Sequence, residues 1–159
     1  MRQSMSDNIL SVIPADPYWQ PTADAAEAAM VVLRRLAPQL EGFVQTEYRI
    51  TWHAKTAVVD CGANLERITC SNCRRDIDTE WWADLLEERF ETGFADLAVA
   101  VPCCEADVSL DDLDYDWPCG FASFELEVWN PNRGQLTDDE LAETSAVLGC
   151  EVRQVWAHI

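Results

Sequence analysis

The residues best suited to chemistry in this 159-residue chain are its seven cysteines, at positions 61, 70, 73, 103, 104, 119 and 150. Cys70-Ser71-Asn72-Cys73 is a Cys-x-x-Cys unit, in which two thiolates wrap one tetrahedral Zn²⁺ while small polar residues make the tight turn. A second pair, Cys103-Cys104, follows about thirty residues later but lacks the two-residue spacer. Adjacent side chains of an extended strand point to opposite faces, so both thiols reach one metal only if the chain bends, and Pro102 helps to impose that bend. The expected ligand set is Cys70, Cys73, Cys103 and Cys104, with Cys61 as the substitute fourth sulfur. Four thiolates around Zn²⁺ leave a net charge of about −2, which Arg74 and Arg75, directly after Cys73, are placed to balance. The competing reading is a set of buried free cysteines packing as small apolar residues. Cys150 reads as core, and Cys119, between Pro118 and Gly120, fits either role.

Catalytic patterns fit less well. A hydrolytic zinc site keeps an open coordination position, commonly with His ligands, and the chain has two histidines, His53 and His158. His53-Ala54-Lys55 and Pro102-Cys103 can be set against the nucleobase-deaminase signature, but Lys55 stands where the general acid/base Glu is needed and Cys103-Cys104 lacks the required spacing. A thioredoxin-like dithiol sits at a helix N-terminus, whereas the helix expected here starts five or six residues after Cys73. Asp111-Asp112-x-Asp114-x-Asp116 lacks the central Gly and terminal Glu of a Ca²⁺ loop. There is no phosphate-binding Gly-rich loop and no nucleophile elbow.

Charge narrows the partners. There are 29 acidic and 11 basic side chains, a net charge of −18. Residues 1–75 are balanced, whereas residues 76–127 carry sixteen acidic side chains and one basic one, Arg89. Phosphate neutralisation needs a basic surface, so direct nucleic-acid binding is excluded, as is attraction to anionic membranes. No apolar run reaches the roughly 18 residues of a membrane span. No basic head with an apolar core opens the chain, so no secretory signal is expected, and in a reducing compartment clustered cysteines bind metal more often than they pair. Asp107, Asp111, Asp112, Asp114, Asp116 and Trp117 form the candidate partner-binding face, attracting a basic protein by charge complementarity. The alternative is a solvated acidic face whose interspersed Leu110, Leu113, Tyr115 and Trp117 pack inward. The paired Trp81-Trp82 on one helix reads as one core ring and one partly exposed ring.

The elements that must position these residues follow from periodicity. Apolar runs predict strands over 9–13, 43–52, 56–59, 65–69, 97–101 and 152–159. Thr22 caps a helix with an Ala26, Met30, Leu33, Leu36 face that ends at Pro38. Asp78 or Thr79 starts a second helix, with a Trp82, Leu85, Leu86, Phe90 stripe, running to about Thr92 and stopped by Gly93. Residues 121–129 alternate, with Ala122, Phe124, Leu126 and Val128 on the apolar side. Thr137 and Glu140 form a capping box, with Leu136 and Leu141 as a hydrophobic staple and Gly149 as the stop. Interleaved strands and helices of this kind predict an α+β domain spanning 1–159, a mainly antiparallel sheet with about three helices, and a zinc-ribbon-like cysteine site embedded at 61–104.

The pattern Cys70-x-x-Cys73, Trp81-Trp82, Pro102-Cys103-Cys104, then Asp112-Leu113-x-Tyr115-Asp116-Trp117-Pro118, resembles a group of small uncharacterised bacterial proteins, mainly from actinomycetes. The resemblance covers the chain from about Cys61 and implies a bacterial, cytoplasmic setting and a metal site. A single Lys with abundant Ala suits a GC-rich genome. Together these readings predict a non-enzymatic, zinc-stabilised module that binds a basic protein, for example an immunity or inhibitor protein covering a nuclease toxin. The competing class is an enzyme, either a thiol redox protein or a zinc hydrolase.

Overall fold

The computed structural model describes residues 7–59, 65–117 and 119–158. In chain order the elements are β1 (Asn8–Pro14), α1 (Ala23–Leu36), β2 (Glu47–Val59), β3 (Ile68–Thr69), β4 (Asp76–Ile77), α2 (Thr79–Arg89), β5 (Ala98–Ala100), β6 (Asp107–Ser109), a 3-10 turn (Leu110–Asp112), β7 (Asp114–Tyr115), β8 (Gly120–Trp129), α3 (Asp138–Leu148) and β9 (Val152–His158). The fold is α+β. Four strands make an antiparallel sheet in the order β2-β8-β1-β9. Two smaller antiparallel sheets, β4-β3-β7 and β5-β6, carry the cysteines between them.

Local chemistry starts all three helices as expected and stops α1 and α3 where expected. The Thr22 hydroxyl accepts from the Ala25 N–H, and Arg34 and Arg35 sit at the negative end of the α1 dipole. Thr137 and Glu140 form the reciprocal capping box of α3, which Gly149 closes in the left-handed region at φ 100°. Helix α2 is capped by Asp78 and ends at Arg89, three residues short of the expected Thr92.

The large sheet is covered on both faces. On one, Leu10, Val12, Phe124, Leu126 and Val128 pack against Ala26, Met30 and Leu33 of α1 and Leu148 of α3. On the other, Ile13, Val59, Phe121 and Val155 join Ile68, Trp82, Phe94, Val99 and Leu110 of the cysteine-bearing half. The Trp82 ring meets Tyr115 edge-on, its Nε1–H donates to the Tyr115 hydroxyl at 3.3 Å, and that hydroxyl donates to the Leu110 carbonyl at 2.6 Å. Burial of Tyr115 raises its phenol well above the usual range. Helix α2 is thereby tied to the acidic stretch.

Two strand expectations are corrected. Residues 43–46 are not in the strand, where Phe43 and Val44 are exposed, and the two runs at 43–52 and 56–59 are one strand, β2, whose register with β8 breaks between Trp52 and Ala57. The alternation of β8 does not give a solvent face over its first half: Ser123 and Glu125 are buried with the apolar residues. Among the described residues, no helix is long and apolar enough to cross a membrane.

Gly120 marks the junction of the two halves. A Cβ there would lie 2.5 Å from Ile13 Cδ1 and 2.9 Å from Arg153 Nη2. Gly120→Ala is expected to lower unfolding stability by about 1–3 kcal/mol through overpacking, measured by urea denaturation; an unchanged midpoint would show that the ends of the Ile13 and Arg153 side chains move aside without cost.

Candidate metal centre

The cysteines are carried by two chain reversals with the same hydrogen bonding. Strand β3 ends before Cys70, whose N–H donates to the Arg75 carbonyl at 2.8 Å, while the Arg74 N–H donates to the Cys70 carbonyl at 3.1 Å. Strand β5 ends before Val101, whose N–H donates to the Ala106 carbonyl at 3.0 Å, while the Glu105 N–H donates to the Val101 carbonyl at 2.8 Å. The fifth residue of each turn is left-handed, Arg74 at φ 63° and Glu105 at φ 62°. Residues 70–75 and 101–106 therefore correspond position by position. Cys73 and Cys104 share the fourth place. The first place holds Cys70 in one turn and buried Val101 in the other, and Cys103 takes the third place, which Asn72 holds in the first turn. This resolves the missing spacer: Cys103 and Cys104 lie on a turn, where neighbouring side chains can converge.

They do converge. Cys73 and Cys103 have their sulfurs 3.4 Å apart, Cys70 and Cys104 theirs 3.9 Å apart, and all four lie within 4.8 Å of one another. Sulfurs about 2.3 Å from a tetrahedral Zn²⁺ lie about 3.8 Å from each other, whereas a disulfide needs about 2.05 Å. All four are free thiols, Cys70 buried and the others half-buried. Among the described residues they are the one group of three or more ligating side chains that come together. The expected set Cys70, Cys73, Cys103 and Cys104 is thus brought to one point, close enough to hold a metal ion. Cys61 lies outside the described residues. Cys119 is buried in the adjacent core, and Cys150 is half-buried beyond α3, its thiol pushed up by burial and by Asp16.

Donors aim at the sulfurs. The backbone N–H groups of Asn72 and Cys73 reach Cys70 Sγ at 3.3 and 3.5 Å, and the Asn72 side-chain amide reaches Cys104 Sγ at 3.5 Å. The Cys73 N–H, joined by that of Asn72, brings the Cys70 thiol down to about 6 against the opposing effect of burial. The Asn72 amide and the Ala106 backbone lower Cys104. Burial, with the three neighbouring sulfurs, pushes Cys103 up to about 12. The cluster thus sheds its first proton easily and holds another tightly, and a bound divalent cation supplies the positive charge that makes the full set thiolate.

The expected role of Arg74 and Arg75 is corrected. Arg74 Nη2 donates to Asp114 Oδ2 at 3.1 Å, and Arg75 is exposed and contributes its carbonyl to the turn. The donors to the sulfurs are instead the backbone amides of Asn72 and Cys73 and the Asn72 side chain. The acidic stretch is also largely engaged within the molecule. Asp111 accepts from Arg153 Nη2 at 3.0 Å, and Asp116 accepts the Glu66 N–H at 3.0 Å, with the backbone amides of Arg67 and Glu66 holding its carboxyl below the usual range. Trp117 Nε1–H donates to the Trp156 carbonyl at 2.8 Å. Asp107 and Asp112 are exposed and, among the described residues, outside any ion pair.

Sequence reasoning passed over one polar pair. His53, read as an ordinary strand residue, has Nε2 2.7 Å from Glu125 Oε2, across 72 residues of sequence. The imidazole borders an open cleft of about 600 Å³ with Tyr18, Gln20, Lys55, Thr56 and Ser123. The Thr56 and Ser123 hydroxyls bond to each other, and Ser123 donates to the Pro17 carbonyl, so neither is poised as a nucleophile for the imidazole. Glu125 is buried only once β2 and β8 pair, so alternation along β8 carries no signal for this pair.

No protein-family model, curated protein or solved structure matches the chain. The site therefore has to be read from its own geometry. Asn72→Ala is expected to weaken binding of Zn²⁺ or Co²⁺ roughly 10- to 100-fold by removing the donor to Cys104, measured by competition with a chromophoric chelator; unchanged affinity would deny the amide that role. Glu105→Gly is expected to stabilise the metal-loaded chain by about 1 kcal/mol, because glycine adopts the left-handed conformation without penalty; a lower melting temperature would contradict the turn geometry.

Proposed function

We propose that this chain is an acidic protein-binding module whose fold is held by a structural zinc ion on Cys70, Cys73, Cys103 and Cys104. The observation that carries the reading is the convergence of four sulfurs from two matching turns. Four protein ligands fill a tetrahedral zinc, leaving no position for a water or substrate, which is the arrangement of structural rather than hydrolytic sites. Thiolate ligands select zinc over hard cations such as Ca²⁺ and Mg²⁺. The site supports the small strands that need it: β3, β4 and β7 have two residues each and β5 and β6 three, too short to be stable by strand pairing alone.

Net charge supports the nature of the partner. An excess of this size costs self-repulsion in the free chain and favours encounter with a basic surface. An inhibitor or immunity protein that masks the positive active site of a nuclease toxin is one concrete form of that partnership. The thiol redox alternative is less favoured by geometry, because Cys70, the thiol held lowest, is buried away from any oxidant or substrate.

Protein purified without chelator is expected to carry one zinc per chain, and its removal is expected to expose Trp82 and shift tryptophan emission to the red. Cys103→Ser should lose the metal and reproduce that shift. A metal-free chain in which Cys70 and Cys73 oxidise readily to a disulfide would contradict the proposal and support thiol redox chemistry.

A further inference from the structure

The stretch at 105–116 is not the only concentration of negative charge in the middle third. Helix α2 and the turn after it carry Glu80, Asp84, Glu87, Glu88 and Glu91, all exposed. Among the described residues none of the five is in an ion pair, and the one cation of the helix, Arg89, donates to the Asp96 carbonyl instead. Within the helix, Glu80 and Asp84, and Asp84 and Glu88, are spaced four apart, where like charges repel. Three of these carboxylates stand at the C-terminal end of the helix, where the dipole is already negative.

Apolar surface lies beside this charge. Trp82 is the buried anchor of α2, Leu86 is half-buried, and Phe90 is 73% exposed. With Val58 of β2 they floor a groove of about 750 Å³ whose rim is formed by Glu87, Glu88 and Glu91. Exposed aromatic surface and unpaired negative charge are both unfavourable in the free chain, and one ligand relieves both. That ligand presents apolar side chains along one face and Lys or Arg on its flanks.

We infer that the groove along α2 docks a basic amphipathic helix of a protein partner. The inference rests on the protein-binding reading above and moves its contact surface from the stretch at 107–117, where Asp111, Asp114 and Asp116 are already bonded within the molecule, to α2. Apolar residues at i, i+3, i+4 and i+7 on the partner would sit on Leu86 and Phe90. Helix α2 has eleven residues, about 16 Å at 1.5 Å per residue. The matching partner segment is therefore about three turns long.

The test uses the zinc-loaded full chain and two fluorescent Leu/Lys peptides of about 14 residues. They share one composition, and one has its leucines along a single helical face while the other has them scattered. Fluorescence anisotropy is expected to show the faced peptide binding about tenfold more tightly, with affinity falling as salt rises. Phe90→Ser, at an exposed position that leaves the circular dichroism spectrum unchanged, should loosen the faced peptide about tenfold. Glu87→Gln with Glu91→Gln should weaken binding and flatten its salt dependence, whereas Asp107→Asn with Asp112→Asn should change nothing. Equal binding of the two peptides, or no effect of Phe90→Ser, overturns the groove assignment. If Asp107→Asn with Asp112→Asn then proves to be the variant that weakens binding, the module reading stands with its contact face at 107–117. If neither peptide binds even at low salt, both readings fall. A chain that dimerises through Phe90 makes the occupant a second copy and overturns the basic partner.

Discussion

Everything in the cysteine-bearing half depends on holding four sulfurs within 4.8 Å of one another. Left to itself such a cluster is unfavourable, because each thiolate formed repels the next: the Cys73 and Asn72 amides pull Cys70 down, whereas burial and the neighbouring sulfurs push Cys103 up. The two turns reduce that problem with backbone and side-chain amides aimed at the sulfurs, and a cation at the centre removes it. The same turns close β3 onto β4 and β5 onto β6, strands with too few hydrogen bonds to persist alone. The core beneath them, around Trp82, Phe94 and Phe121, is shared with the large sheet through Ile13, Val59 and Val155.

The same economy of pairing organises the charge. Basic residues are scarce, and most are used inside the fold: Arg153 for Asp111, Arg74 for Asp114, Arg67 for Asp76, and Arg133 for Glu140, whose carboxyl is held down to about 2. What is left over is negative, and five of these exposed carboxylates lie on α2 and the turn after it. These carboxylates, left without internal compensation, lie beside an apolar groove.

How much of this the chain discloses in advance depends on the range of the interaction. Helices α1 and α3 are legible because their signals are local: Thr22 and Pro38 bracket one, Thr137, Glu140 and Gly149 the other. The ligand set is legible because thiol chemistry narrows the choice, although the spacing rule misjudges Cys103-Cys104 by treating them as strand residues. Their convergence needs the left-handed Glu105 and the turn closed by Val101 and Ala106, which no spacing rule encodes. Strands β4, β6 and β7 are too short to show a period. The burial of Ser123 and Glu125 and the pairing of Glu125 with His53 depend on chain segments far away in sequence, so alternation along β8 mistakes that half of the strand for a solvent face.

The central claim is a closed centre of four thiolates. X-ray absorption at the zinc edge of the purified chain tests it most directly. The result expected is a single shell of four sulfurs at about 2.3 Å with no nitrogen or oxygen neighbour. A mixed shell containing nitrogen or oxygen, which marks an open or differently ligated site, would contradict it, as would a chain that takes up no zinc.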